Sequence, residues 1–579
     1  MKVLVFIKQI PDVNMIKFDE KTKRIIREGV PLSMNSFDKK CVEEALRLKE
    51  KYGVETVVAS MGPPQASQIL NEALRMGIDR AALISDRKFG GSDTLATSKI
   101  LSEFAKIEKP DLIFTGKYSL DGETSQVPPE IAVFLGYQFL SSVSKIEAMD
   151  EHSIIVERDL ERGSSRARIT IPALLSVSEK INKARAIKPG TPDMSSKVEI
   201  FDSARIGIDI SGQEFSPTVV QGTQLMENRR EATMIDYGTN LFDEVTKIIE
   251  SNSKSDGDPE EIEIKGYEDG RDSILTVAID DIQISEEISS KCAELAAKNS
   301  LNAIIFGNIE PTKVSTMIGN KYYYVKAKNI DEVTASLYNF ISETKPKYVI
   351  FPSTIDGRDA AASIAAKMSL GLTADCVDLD IEDEKLIQYK PAFGGNVVAS
   401  IYSKTDPQMA TVRPGMFKKR ISRSNPEIIE WPSDYRSQIE IIEETPVPSE
   451  FAPLNSKKVV VGFGRGVKNK NFVQEIVKLA EKLDASVGAS RPVVDMKFVP
   501  RQQQIGLTGT SISPSVYLNL GISGQPNHVV GIRYSKIIIS VNSDPNAEIF
   551  KYSDYGIVAD LTEFVNGFNA YLDSKKKSS

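Results

Sequence analysis

Short apolar runs and amphipathic stretches alternate along the first third of the chain. KVLVFIKQI at the start is a β-branched run of strand length, and residues 38–53 (DKKCVEEALRLKEKYG) place apolar residues at helical spacing before a glycine stop. ETVVASMGPP predicts a second buried strand, QASQILNEALRMGID a second helix, RAALISD a third strand and TLATSKILSEFAKIEK a third helix. PDLIFTGKYS follows as a fourth strand. Parallel strands require crossover helices, so this order predicts an α/β fold built on a doubly wound, Rossmann-like parallel sheet. From 140 to 175 the pattern changes to HSIIVERDL and RARITIPALLSVS, which predict antiparallel strands added at the sheet edge.

The periodicity weakens between 201 and 250, where SGQEFSPTVVQG predicts a loop and YGTNLFDEVTKIIESN one helix. SNSKSDGDPEE (251–261) is a linker by composition. A second α/β unit then opens with SILTVAID, SEEISSKCAELAAKN, NAIIFGN, IDEVTASLYNFISETK, PKYVIFPST and DGRDAAASIAAKMSLG. A third begins at SKKVVVGFGRGV (456–467), with FVQEIVKLAEKLD as a helix and KIIISVN as a later strand. EIIEWPSDYRSQIEIIEETPVPSEFAP, between the two, predicts a tether. No short-period repeat points to a solenoid.

At 579 residues the chain is long enough for about three or four domains. Its 41% apolar and 26% charged residues are ordinary for a globular protein, and no apolar run approaches the roughly 20 residues of a membrane span. The chain is therefore not expected to be an integral membrane protein. The first ten residues lack the small-residue cleavage site of a signal peptide. A net charge of −8 excludes nucleic acid as the main partner, and Lys575, Lys576 and Lys577 form only a short basic end. Cys41, Cys292 and Cys376 are odd in number and lack ligand spacing, which predicts reduced thiols, a cytoplasmic location and no structural zinc. Two histidines leave no His-rich metal site.

Three stretches carry candidate chemistry. Gly462, Gly464 and Gly466 follow an apolar strand, where glycines let backbone N–H groups approach a phosphate; the spacing is G-x-G-x-G, compatible with a ligand-free tight turn as well. The stretch 486–531 is rich in glycine and sets Ser490, Arg491, Gln504, Thr508, Ser523 and His528 among apolar segments. Because VYLNLGIS within it predicts core, the polar side chains point to a bound nucleotide. The loop TGKYSLDGETSQVPPEIA (115–132) follows the fourth strand, at the carboxyl end where open α/β sheets bind ligands. Thr124, Ser125 and Gln126 there precede a helix start that either holds a phosphate or is simply well capped.

Taken together, these blocks resemble the electron transfer flavoproteins. KQIPDVN (8–14), SMNSFDKKCVEEALRLKE (33–50), SMGPPQA (60–66) and the DGETSQ loop are similar in order and spacing to the β subunit of that family. GRDAAASIAAKMSLGLTADCVDLD, KPAFGGNVVASI and PQMATVRPGMF resemble the α subunit. ASRPVVD, QIGLTG, GISGQPNH and SVNSDPNAEIFKYSDYGIVAD resemble its FAD-binding domain. The resemblance covers roughly 1–250 and 271–570, and implies a β-like half fused ahead of an α-like half. It implies a β-like nucleotide-binding domain at 1–200, a β-like C-terminal arm at 201–252 and a linker at 253–270. The α-like part would comprise an α/β domain at 271–440, a tether at 441–455, an FAD-binding α/β domain at 456–572 and a tail at 573–579.

The resemblance also implies roles. Arg491 would lie against the isoalloxazine and favour its reduced, anionic form. Thr508 would hydrogen-bond near flavin N5, and His528 near the N1–C2=O edge. Gly466, Ser490, Gln504, Gly506, Gly509, Ser523 and Gly524 would hold the flavin or its ribityl and phosphate chain. Asn542 and Asp560 would contact the adenosine, although Asp560 has the alternative of capping the helix LTEFVNGF. Met61, Asp121, Thr124, Ser125, Gln126 and Val127 would surround a second nucleotide, either AMP or a second FAD. Leu507 replaces the family's usual Gln, QPN (525–527) replaces Ala-Ile-Gln, and INKARAIKPGTPDMSSK (181–197) lacks the Leu-Pro anchor of the partner-recognition loop.

The resemblance thus implies an electron carrier whose chemistry runs on FAD rather than on protein catalytic groups. Its donors would be flavin dehydrogenases, such as the acyl-CoA dehydrogenases of fatty acid oxidation, and its acceptor an electron transfer flavoprotein:quinone oxidoreductase-like membrane protein. Two competing expectations are an NADH-oxidising, electron-bifurcating flavoprotein with two FADs, and an adenine-nucleotide-binding regulator without redox work.

Overall fold

The structure, a computed structural model, describes residues 1–12, 17–19, 24–26, 29–161, 163–225, 230–238, 240–253, 260–279, 281–392, 397–446, 451–506 and 509–578. The chain divides into two compact units: Met1–Leu225, Glu261–Arg413 and Phe417–Thr445 form the first, and Met226–Glu260, Pro414–Met416 and Pro446–Ser579 the second.

The first unit holds two sheets of the same topology. In one, the strand order is 198–201, 80–84, 55–61, 2–6, 112–116, 173–177, 138–149, 153–160, 163–170 and 440–446. In the other it is 427–431, 321–325, 302–307, 273–278, 348–352, 408–412 and 372–376. Each therefore reverses direction between its first strand (Lys2–Phe6 or Ser273–Ala278) and its fourth (Leu112–Gly116 or Tyr348–Pro352), with all of these central pairings parallel. The all-buried strands LIFTG and SILTVA suit sheets covered by helices on both faces.

Three segments differ from the sequence expectation. Ala173–Val177 does not sit at the antiparallel edge: it pairs parallel with Leu112–Gly116 and Gln138–Met149, in the middle of the sheet. Its continuous ALLSV run is the mark of a strand buried on both faces, unlike the alternating pattern of Gly163–Thr170 before it. The stretch read as a loop contains the short helix Gly212–Phe215 and the strand Thr218–Leu225, which pairs with Val397–Ser403 in a separate antiparallel sheet. Within the stretch read as a tether, Glu427–Trp431 and Glu440–Pro446 close the edges of the two large sheets.

The second unit has a six-stranded sheet in the order 485–489, 459–463, 516–520, 537–542, 555–558 and 233–234, every pairing parallel. This is again a doubly wound arrangement, with its reversal between Val459–Phe463 and Val516–Leu520. The edge strand Thr233–Met234 and the helix Leu241–Ser253 come from the 226–260 segment, and Leu241, Val245 and Ile249 join Phe564, Val565 and Phe568 in the core. Phe242 stacks on Phe568 at 5.4 Å between ring centroids.

Candidate functional site

In the second unit the candidate residues gather at the carboxyl ends of the parallel strands, where ligands bind in open α/β sheets. Gly464 and Gly466 follow Val459–Phe463, Ser490 and Arg491 follow Ala485–Ala489, and Ser523 and Gly524 follow Val516–Leu520. Asn542 ends Ile537–Asn542, and Asp560 lies just beyond Tyr555–Val558. At the reversal point two glycine turns touch. A Cβ on Gly464 would fall 2.4 Å from the Gly521 carbonyl oxygen, one on Gly466 would lie 3.2 Å from Gly521 Cα, and Gly521 itself has a φ of +64°. Gly524 has a φ of +90°, with Ile549 N only 2.3 Å from where its Cβ would stand. Only glycine fits here, and the result is a floor made of backbone.

Around that floor the side chains differ in what they do. Arg491 is exposed and, among the described residues, makes a loose ion pair with Asp495 at 3.5 Å. Ser490 is buried at the start of Arg491–Asp495, with its amide donating to the Phe463 carbonyl at 3.0 Å. The Ser523 carbonyl accepts from Ile549 N at 3.2 Å. Asn542 spans the site internally: its Nδ2 donates to the Ile522 carbonyl at 3.0 Å and its Oδ1 accepts from Asp544 N at 3.0 Å. Asp560 caps the following helix, accepting from the Thr562 and Glu563 amides at 2.8 and 3.2 Å.

Gln504 is buried, and the Ile505 amide after it donates to the Ala489 carbonyl at 2.9 Å. The Gly509 amide donates to the Gly506 carbonyl at 2.9 Å, and Gly506 packs on the His528 segment, since a Cβ on it would meet the Asn527 carbonyl oxygen at 2.5 Å. Thr508, and Leu507 beside it, lie outside the described residues. His528 is buried, with Nε2 2.9 Å from the Tyr517 hydroxyl. Burial pushes its pKa down to about 4, the adjacent Ile505 backbone acting weakly the other way. Its Nδ1 is buried beside that backbone without a hydrogen bond of ordinary geometry. An unpaired imidazole nitrogen deep in a glycine-lined site is what a polar ligand would satisfy.

In the first unit, Met61 ends the strand Glu55–Met61, while Asp121, Thr124, Ser125, Gln126 and Val127 lie on the loop and helix start after Leu112–Gly116. Lys8 reaches this loop and pairs with Asp121 at 2.8 Å. Burial alone would raise the Asp121 carboxyl, but the Lys8 charge and hydrogen bond hold it below its usual range. Gln126 does not cap the helix Val127–Leu135; its side chain is buried, bonded to Thr94 Oγ1 at 2.5 Å and to the Leu372 carbonyl at 3.1 Å. Pro128 and Pro129 remove two of the helix's first amides, leaving little N–H to hold an anion. The backbone is strained at Glu123 (φ +50°) and Ser125 (φ +57°), and the Ser125 hydroxyl is buried without a partner.

Two carboxylates were missed from sequence. Asp38, on the first helix, accepts from the Lys8 amide at 2.7 Å, the Gly116 amide at 3.2 Å and Asn35 Nδ2 at 2.9 Å, tying together the strand ends at the reversal point. Burial raises its pKa to about 7 despite these bonds. Glu123 is held above its usual range by burial, opposed by the charges of Arg413, Lys390 and Arg358. No pattern within the helical or loop sequence signals either role, because apart from Asn35 the partners lie far away in the chain. Among the described residues no group of three or more His, Cys, Asp or Glu is placed to hold a metal.

The sequence model of the electron transfer flavoprotein domain matches residues 22–204 and again 282–434, more than half of the chain. The chain belongs to the electron transfer flavoprotein family. The model of the electron transfer flavoprotein FAD-binding domain matches residues 453–533, the part of the second unit that carries the glycine floor and His528. The first half is 38% identical over 256 residues to electron transfer flavoprotein subunit beta of Thermoanaerobacterium thermosaccharolyticum, covering 43% of this chain and 97% of that subunit. The second half is 33% identical over 301 residues to subunit alpha of the same organism, covering 49% of this chain and 91% of that subunit. The caffeyl-CoA reductase-Etf complex subunit CarD of Acetobacterium woodii is 40% identical over 226 residues, covering 38% of this chain and 86% of CarD. The chain is thus a β-like half fused ahead of an α-like half, and the two matches to one domain model explain the repeated topology of the first unit. Among the described residues no helix is long and apolar enough to cross a membrane.

Proposed function

We propose that the protein is an FAD-carrying electron carrier that accepts electrons from flavin dehydrogenases and delivers them to a quinone oxidoreductase. The observation that carries this reading is that a buried His528 Nδ1 without a regular hydrogen bond and a set of close-packed glycine turns fall in the same family FAD-binding domain. FAD supplies the redox chemistry when bound; the residues of the chain hold it and set its electronics. Gly466, Ser490, Gln504, Gly506, Gly509, Ser523 and Gly524 line the holding surface, with Thr508 assigned to it by resemblance. Arg491 brings a permanent positive charge, which favours added electrons. His528 remains neutral at physiological pH and serves as a hydrogen-bond donor rather than a cation. Asn542 shapes the site by holding the turn after Val516–Leu520, and Asp560 by fixing the helix that follows.

By resemblance, a second nucleotide is assigned to the β-like loop around Met61, Asp121, Thr124, Ser125, Gln126 and Val127, with few helix amides to hold its phosphate. AMP and a second FAD share the adenylate that this loop would meet. Similarity to a subunit of a caffeyl-CoA reductase complex favours keeping the bifurcating, NADH-linked reading as the second hypothesis. The deciding experiment is the visible spectrum of the pure protein with a count of extracted nucleotides. One FAD and one AMP per chain support the carrier, two FADs support bifurcation, and a protein that stays colourless after FAD addition overturns both.

A further inference from the structure

Tyr517 lies on the central strand Val516–Leu520 and is fully buried. Its hydroxyl meets His528 Nε2 at 2.9 Å, with the two rings tilted by 36° at 6.1 Å between centroids. The neighbouring strand makes room for that hydroxyl: a Cβ on Gly462 would stand 2.0 Å from it. The first glycine of the G-x-G-x-G run is therefore explained by a tyrosine rather than by a phosphate. Neutral imidazole has one donor and one acceptor nitrogen, and the bond made by one nitrogen decides the state of the other. A phenol donates readily to an unprotonated ring nitrogen. With the Tyr517 hydroxyl donating to Nε2, the His528 proton must sit on Nδ1, the nitrogen buried beside the Ile505 backbone without a regular hydrogen bond.

We propose that Tyr517 is a positioning residue that locks His528 into its Nδ1–H tautomer and so commits it as a hydrogen-bond donor toward the flavin. The last step rests on the FAD reading above; the lock itself does not. Such a donor stabilises the flavin more when it carries extra electrons, so it raises the reduction potential of the bound cofactor. Loss of the lock leaves the imidazole free to present a lone pair instead, which opposes the same charge.

Nitrogen-15 NMR tests the lock directly, because the chain has only His152 and His528 and His152 is exposed. In the wild-type protein at neutral pH, the His528 signals should show a protonated Nδ1 and an unprotonated Nε2; the opposite assignment overturns the proposal without any variant. In Tyr517→Phe the two tautomers should mix, FAD should dissociate about two- to tenfold more readily, the size of one lost buried hydrogen bond, and the potential of the bound flavin should fall. A Tyr517→Phe protein with mixed tautomers but unchanged FAD affinity and potential also overturns the proposal, while leaving the carrier reading intact. A wild-type protein that shows the expected tautomer but never binds FAD overturns the carrier reading, and with it the flavin-directed role of the lock.

Discussion

Arg158 Nη2 lies 2.5 Å from Asp356 Oδ1, and this ion pair joins the β-like and α-like halves of the first unit. The arginine side chain is 4% exposed and also lies 3.5 Å from Ser141 Oγ, which itself bonds to the buried Asp359. Removing one member of a fully buried pair strands the other charge at a cost of about 3–5 kcal/mol, and the partial exposure of Asp356, 22%, screens part of that cost. Arg158→Met should therefore destabilise the first unit in urea unfolding, by less than a fully buried pair would. Arg158→Met combined with Asp356→Asn should recover part of the loss, since the stranded charge is gone. A double variant no more stable than the single one would show that packing of the arginine stem, and not charge, accounts for the loss.

Gly524→Ala should remove FAD retention and destabilise the second unit. The added Cβ would fall 2.3 Å from Ile549 N, a backbone atom that cannot swing aside, at a φ of +90°. Gly190→Ala provides the comparison, because Gly190 has a φ of +80° but nothing within 4 Å of the new atom. It should show only backbone strain of about 1 kcal/mol. Equal effects from the two substitutions, measured by thermal unfolding and flavin content, would argue against a close-packed glycine floor.

The parallel layers were readable in the sequence because strand-length apolar runs and capped amphipathic helices alternate without interruption, as in LIFTG between two helices. Ala173–Val177 was misplaced because a continuous apolar run and an alternating one follow each other with only a short turn between, and the buried run reads as part of the edge hairpin. In the FAD unit, glycine-rich stretches pointed to the strand ends. Tyr517 was hidden inside VYLNLGIS, where a buried tyrosine and a buried leucine look alike until the hydroxyl's partner is seen. Asn542 and Asp560 carried polar side chains at suggestive positions, yet both spend their hydrogen bonds on the backbone.

Stability should fall as pH rises from about 5 to 8. Burial raises Glu130 from its ordinary value of 4.5 to about 8, opposed by the Ser98 hydroxyl that bonds its Oε2 at 2.7 Å. Burial likewise raises Asp38 and Asp359 to about 7. Between the ordinary and the raised values the folded state holds protons that the unfolded chain has released, so stability is full at the acid end and is lost as pH climbs through the raised values. Each such group can contribute at most about 1.4 kcal/mol per pH unit. Glu130→Gln should match the wild type near pH 5 and exceed it near pH 9 in chemical unfolding. An identical pH slope in both proteins would show that Glu130 is ionised in the fold.

Asp560→Ala separates a helix cap from a nucleotide ligand. The carboxylate already accepts from the amides of Thr562 and Glu563, and these bonds satisfy the first turn of the helix Leu561–Ser578. Loss of an N-cap costs about 1 kcal/mol, whereas loss of a direct ligand contact weakens binding at unchanged fold. The expected result is a lowered unfolding midpoint with FAD affinity close to wild type once the protein is kept well below that midpoint. Asp560→Ser, which keeps a capping oxygen while removing the charge, should restore most of the stability. If instead serine restores stability and FAD affinity still falls sharply, the carboxylate reaches the adenosine as well as the helix, and the charge rather than the cap is what the cofactor uses.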